Sequence, residues 1–586
     1  MSLSLLFSLL KSQHIRDVDH ALAMSLQRLQ PDTSELVCVA AALVSKAHSL
    51  GHSCLPIDKF NDLLREASTA PSALLPGSDE FIAALKTSAW VGKSNGNRNT
   101  ENCVLVLDDN TIALKRYWAY EDRLASALQQ RLAIEINPIS AAVQSYWTQL
   151  FSDDINSEQA TAARRACEAT FFLLTGGPGT GKTATIGRLL QLLHYQANEN
   201  STALRIGLAA PTGKAATRLS ESLRATLSPL ESQSPSNIEQ TGIETIEAKT
   251  LHRLLGSKPN SVQFQHDAQH PLALDVLIVD EASMIDLPLM CKLLEALPPQ
   301  ARLILVGDPD QLPSVETGNV LRACCDAIAQ RPDSGQHRSH LDRVYRQDAD
   351  SDIGLAARMV LAGDSLNFID GLQHGSYRGL HWQAANAQGL EKIIQHQALL
   401  HYQKIQQAPS LEDAITLSKE FRVLCAARES SAGSIAINRF ISDRLKKKTE
   451  TDFYAGRLCL VTENTAREQL FNGDIGLCWP DEHGIMRVWV ETAVGLKAWH
   501  PVNFPAHEDA FAITVHKSQG SEFDRVLLVL PDAKHRVLSR ELLYTGLTRA
   551  RKHIELLASQ DSLSAAISRP NQRWSRLAQR LSRKTP

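Results

Sequence analysis

An apolar run, Phe171-Phe172-Leu173-Leu174-Thr175, leads straight into Gly176-Gly177-Pro178-Gly179-Thr180-Gly181-Lys182-Thr183, and a segment with helical periodicity, TATIGRLLQLL, follows. The loop fits the pattern GxxxxGK[ST], and a strand before it with a helix after it is the context that gives the pattern meaning. The glycines let backbone N–H groups curl around phosphate oxygens without a Cβ in the way, and the helix start adds a partial positive charge. Lys182 would reach the β and γ phosphates of a nucleotide, and the Thr183 hydroxyl would bind Mg²⁺. The chain must therefore build a sheet that carries this loop at one strand end.

Other apolar runs recur along the chain: RIGLAAP (205–211), DVLIVD (275–280), RLILVGD (302–308), RVLCAA (422–427), RVLLVLP (525–531) and HIELLAS (553–559). Helical patterns separate most of them, which indicates parallel sheets covered on both faces. The runs fall into two groups, so the spacing predicts an α/β protein with two tandem α/β domains, over 156–340 and over 341–447 with 506–586. Residues 1–115 read as a mainly helical N-terminal domain, with one hairpin-like unit at 103–118, and 116–155 as linker helices. Short alternating runs broken by turns over 448–505 predict a small β-barrel inserted into the second α/β domain. The polar stretch 225–248 reads as a loop or a small insertion.

Asp280 and Glu281 end a buried strand, where a carboxylate lies beside a phosphate loop. Asp280 suits Mg²⁺, and Glu281 suits orienting or deprotonating an attacking water. Gln311 follows another strand end, where it would sense the γ-phosphate. Gln159, at the start of an Ala-rich helix, would meet an adenine edge, although the same segment also reads as an exposed helix cap. Net charge is −3, so a nucleic acid could be held only in a local groove and not by the overall field. Ten cysteines without a CxxC pair give no support for a zinc or redox site and read as buried thiols of a cytoplasmic protein. No apolar run reaches the ~20 residues of a membrane span.

Taken in order, the motifs resemble those of superfamily 1 helicases across about 156–555. APTGKAA (210–216), TLHRLLG (250–256), LDRVYRQ (341–347), TVHKSQGSEFD (514–524) and YTGLTRARK (544–552) complete the set, and their wording is similar to the RecD branch, the 5′→3′ group. The resemblance implies two RecA-like domains sharing one ATP with Mg²⁺, and an SH3-like form for the inserted barrel. It assigns Arg346 and Arg549 to the γ-phosphate from the second domain and Glu522 to the nucleotide. It assigns Pro211, Thr212, Lys214, Thr250, His252, Thr514, His516 and Lys517 to single-stranded DNA. It further implies a subunit of a helicase–nuclease that opens DNA ends for double-strand break repair by homologous recombination. RecB-like and RecC-like chains would be the partners in a heterotrimer, one of them holding the nuclease centre, and residues 1–115 the docking domain. The phosphate loop alone would equally serve an ATPase acting on protein, an RNA helicase or a stand-alone relative, and an inactive scaffold would not need the intact carboxylate pair. The tail 569–586 carries arginines at 573, 576, 580 and 583 on one helical face and reads as a solvated terminal helix.

Overall fold

All seven apolar runs form strands in the computed structural model, which describes residues 3–67, 75–93, 103–231, 247–258, 261–344, 352–384, 387–447, 451–465, 470–492 and 495–583. The first motor sheet has six strands in the order 338–341, 171–176, 302–307, 276–279, 206–210, 249–250, all parallel. Phe171–Gly176 is buried throughout, as its unbroken apolar sequence requires for a strand covered on both faces. Phe172, Leu174, Ile278 and Ile304 face the helices Glu158–Glu168, Lys182–Glu199 and Gly213–Glu231. Leu173, Leu277 and Leu303 face Leu287–Ala296, Val320–Ala329 and Lys115–Leu132. The last of these, expected as a linker, is part of the sheet's cover, with Leu124 and Leu128 in the core and Arg131 bonded to the Leu297 carbonyl at 2.7 Å.

The second motor sheet has five parallel strands in the order 380–383, 550–557, 523–529, 421–425, 512–514. The inserted segment forms a five-stranded antiparallel sheet in the order 495–499, 486–492, 475–480, 458–461, 507–509. Its ladders run in a row, no ladder among the described residues joins the two edges, and its last strand continues to Asp509. The N-terminal segment opens with a helix, Ser4–Lys11, and holds a hairpin, Leu105–Asp108 with Thr111–Leu114. Asp109 sits at its turn with φ +54°, a conformation Asp tolerates. The hairpin stops at Leu114 because Lys115 begins a helix. Residues 225–231, expected as loop, continue the helix Gly213–Glu231, while 232–246 lie outside the described residues. All ten cysteines are buried. Among the described residues no helix is long and apolar enough to cross a membrane.

The C-terminal tail departs most from expectation. Its helix is only Leu577–Ser582, and Arg576 and Arg580 are buried rather than solvated. Arg580 pairs with Asp108 at 2.7 Å and with Asp122 at 2.9 Å, and Arg576 pairs with Asp109 at 2.6 Å. Glu121, also buried, accepts from Ser53, Ser575 and the Arg576 N–H. Leu577 and Leu581 join the core beneath the first sheet, and Trp574 stacks on His52 with centroids 4.1 Å apart. The tail is a strap fastening the N-terminal segment to the first motor sheet. The pattern of spaced arginines was visible; the carboxylates that bury them lie more than 450 residues earlier.

Removing one member of a buried ion pair strands the other, at a cost of about 3–5 kcal/mol. Arg580→Ala is therefore expected to lower the urea midpoint sharply. Arg583→Ala, whose side chain is 54% exposed beside Asp109, is expected to cost under about 1 kcal/mol. Equal effects of the two in urea denaturation would contradict this account of the strap.

Candidate active site

The phosphate loop leaves the strand Phe171–Gly176 and closes at Gly181, which caps the helix Lys182–Glu199 with φ +86°. A side chain at Gly181 would be strained in that conformation and would collide with the Gln159 amide, which bonds the Thr180 carbonyl at 3.3 Å. Lys182 Nζ is held by the carbonyls of Gly176 and Gly177 at 2.7 and 2.8 Å, and Thr180 Oγ1 closes the loop on Gly177 at 2.9 Å.

Because strand 302–307 lies beside strand 171–176 and strand 276–279 beside that, their C-terminal residues converge on the loop. Asp280 accepts from the Glu281 N–H at 2.8 Å, and Glu281 sits at φ +51°, a strained conformation for a non-glycine residue. Burial, then the neighbouring Glu281 charge, raises the Asp280 carboxyl to about 6. Asp308 is also raised by burial and accepts from Gln311 Nε2 at 3.1 Å and from the Tyr544 hydroxyl at 2.8 Å. The Gln311 carbonyl oxygen is buried without a partner.

One cavity of about 430 Å³ is lined by Gln159, Pro178, Gly179, Gly181, Lys182, Thr183, Asp280, Glu281, Asp308 and Gln311 from the first motor domain, and by Gly520, Glu522 and Arg549 from the second. Arg549 is buried and bonds the carbonyls of Thr545 and Ser521, both at 3.2 Å. Glu522 receives Arg218 at 2.6 Å and Arg551 at 3.2 Å. Arg346 lies outside the described residues. Among the described residues no group of three or more His, Cys, Asp or Glu is arranged to hold a metal alone. The donor set suits a cation shared with phosphates: two carboxylates whose pKa burial raises line the same cavity as Thr183.

Three functional positions escaped the sequence reading. Asp308 ends a strand just as Asp280 does, within the GDPDQ run. Tyr544 opens the YTGLTRARK run and crosses the cleft to Asp308. Arg218, one turn past the APTGKAA run, bonds the Gly520 carbonyl at 3.0 Å as well as Glu522.

Of the strand-contact candidates, Pro211 and Thr212 follow the strand 206–210, Thr250 ends the strand 249–250 and Thr514 ends the strand 512–514. Thr212 caps the helix Gly213–Glu231 through the Ala215 N–H, Thr250 caps Leu251–Leu255 through the Arg253 N–H, and Thr514 accepts from the Lys517 N–H. His252 is exposed, its ring tilted against Phe264, and Lys517 is paired with Glu508. His516 is half-buried, and burial, then the Arg573 charge, lowers its pKa. Pro211 is half-buried at the end of its strand. Lys214 does not join them: it lines a second cavity, of about 520 Å³, with Arg422 and Asp474, where burial lowers it to about 8. Phe471 of the inserted segment rests on Gly213, with the Arg253 guanidinium 5.9 Å from its ring.

Comparison with known proteins matches three segments: residues 11–112 to the N-terminal domain of RecBCD enzyme subunit RecD, 159–317 to the AAA domain, and 509–557 to the UvrD-like helicase C-terminal domain. RecBCD enzyme subunit RecD of Mycobacterium tuberculosis is 35% identical, covering 96% of this chain and 94% of that protein. The Haemophilus influenzae protein of the same name is 31% identical over 93% of each. The ATP-dependent RecD2 DNA helicase of Deinococcus radiodurans is 31% identical over 77% of this chain and 55% of that protein.

Asp280 titrates higher in the folded chain than the 3.8 of a free carboxyl, so its charge opposes folding above about pH 6 and the opposition fades as pH falls through that value. Asp280→Asn is expected to raise the melting temperature of the ligand-free chain by a few degrees at neutral pH, and by less near pH ~4.5. Scanning calorimetry at both pH values checks this; a variant less stable at neutral pH would contradict it.

Proposed function

We propose a working cycle for this chain, which belongs to the RecD family of RecBCD enzyme subunits and is an ATP-dependent helicase subunit of that kind. The observation that carries the cycle is that the cavity of about 430 Å³ at the phosphate loop has walls from both motor domains. Lys182 binds the terminal phosphates, Gln159 the adenine, and Glu522 the nucleotide from the far wall. Thr183 and Asp280 would hold Mg²⁺, whose charge, when bound, offsets that on the phosphates. Glu281 orients the attacking water, and Gln311 senses the γ-phosphate. Arg549, with Arg346, stabilises charge on the transferring phosphoryl. That help needs the second sheet close against the first, so hydrolysis is coupled to closure.

The strand is gripped by Pro211, Thr212, Thr250 and His252 on one domain and by Thr514, His516 and Lys517 on the other. Hydroxyl, imidazole, ammonium and backbone groups of this sort bind phosphates with little base readout. Closure moves one grip past the other, and the strand passes 5′→3′. The match of 11–112 to the RecD N-terminal domain favours a complex-forming subunit over a stand-alone RecD2-like helicase. Residues 1–115 dock onto RecB-like and RecC-like chains, one of which carries the nuclease centre, and the assembly opens DNA ends for recombinational repair.

Lys182→Gln is expected to abolish DNA-stimulated ATP hydrolysis in a folded chain. Arg549→Ala is expected to lower kcat by on the order of a hundredfold or more with little change in KM, because its charge is used in the closed transition state. A rise in KM alone would make Arg549 a ground-state contact. Strand displacement from substrates with a 5′ or a 3′ tail decides polarity, and unwinding of the 3′-tailed substrate alone would sink the 5′→3′ assignment.

A further inference from the structure

Gln311 has a single anchor in the cavity. Its amide nitrogen donates to Asp308 at 3.1 Å, and its carbonyl oxygen is buried with no partner. The aim of that oxygen therefore depends on how the backbone beneath it is held. On one side the Leu312 N–H donates to Thr545 Oγ1 at 2.9 Å, and the Leu312 carbonyl accepts from Gln519 at 2.8 Å, so the second motor domain holds it.

On the other side the Leu287 N–H donates to the Thr317 carbonyl at 3.0 Å, and the two ends of the chain add a further grip. The Arg573 guanidinium donates to the carbonyls of Ser314 at 2.6 Å, Glu316 at 2.5 Å and Gly318 at 2.8 Å. The Gly318 N–H donates to the Gly51 carbonyl at 2.9 Å, and Thr317 Oγ1 bonds His48 Nδ1 at 2.7 Å. Gly51 has φ +90°, and a Cβ there would come within 2.7 Å of the Arg573 guanidinium carbon, so the glycine leaves room for the arginine. Val315, in the middle of the turn, is 77% exposed. Apolar burial at that position does little to fix the turn, and the hydrogen bonds do most of it.

We propose that Arg573, His48 and Gly51 form a clamp on residues 314–318 that positions Gln311 in the nucleotide cavity. The N-terminal segment and the C-terminal strap are then part of the hydrolytic unit and not only its packaging. Arg573 and His48 are positioning residues: they touch neither nucleotide nor water and act through a turn that begins three residues beyond Gln311. The inference rests on the role given to Gln311 in the proposed cycle.

The test is a mutant cycle on the full-length chain, reading kcat and KM for DNA-stimulated ATP hydrolysis. Arg573→Ala is expected to lower kcat about tenfold, the size of effect that a small misplacement of a reacting group produces, with KM for ATP unchanged. Thr317→Val, which removes only the His48 contact, is expected to lower it by about threefold. It carries the cycle should Arg573→Ala fail to fold. Arg573→Lys, with one ammonium for three carbonyls, is expected to restore part of the rate. In a Gln311→Ala background all of these effects are expected to vanish, because residues acting through one group are not additive. Simple loss of folded protein would instead multiply with the Gln311→Ala defect. Clamp variants with unaltered kcat, or a loss of the same size in both backgrounds, would overturn the clamp while leaving the role of Gln311 intact. An unaltered kcat in Gln311→Ala itself would overturn the role of Gln311 and, with it, the clamp.

Discussion

Asp308 is buried at the end of a parallel strand and is bonded from two directions, by Gln311 on its own domain and by Tyr544 from the other. A carboxylate taken out of water needs such partners, because burial without them is costly. Here the second partner comes from across the cleft. Thr545 and Gln519 meet the same stretch of chain at Leu312, and Arg218 reaches back to Glu522 and Gly520. The floor of the nucleotide cavity and the contact between the two motor sheets are thus one hydrogen-bonded assembly. In the proposed cycle a change of charge on the phosphates would be felt at the joint between the domains, which is the physical requirement for a motor.

A second assembly ties the ends of the chain together. Arg576 and Arg580 would be costly to bury alone, as would Asp108 and Glu121, and each set offsets the charge of the other. The strap lies under the helix Lys115–Leu132, whose other side covers the first motor sheet. The N-terminal segment is consequently seated on the motor through ion pairs, a stacked Trp574 and the turn 314–318. A partner that docks on it meets a body already joined to the nucleotide cavity through a few residues of backbone.

The net charge of −3 gives the chain no long-range pull on a polyanion. In the proposed cycle, binding of a strand would have to come from local groups. Several of the candidates are already occupied within the protein: Lys517 by Glu508, Thr212 and Thr250 by helix N-termini. Such groups position backbone N–H donors as much as they offer their own side chains, which suits a grip that ignores base identity.

The local code determined a good deal. The loop 176–183 with its flanking strand and helix, the unbroken apolar strands, and the carboxylates at strand ends are contiguous features. Their physics is that of a buried parallel strand feeding a helix start, and they place Lys182, Thr183, Asp280, Glu281 and Gln311 around one cavity. What the sequence left undecided all depends on partners far along the chain. Asp308 and Tyr544 look ordinary until the two sheets meet, and Lys214 resembles a surface lysine until Arg422 and Asp474 surround it. The arginines of the tail read as a solvated face because nothing near them is acidic. Only the tertiary structure decided that Arg576 and Arg580 are buried, since burying a charge is worthwhile only where folding supplies the opposite charge, and that charge waits at Asp108, Asp109 and Glu121.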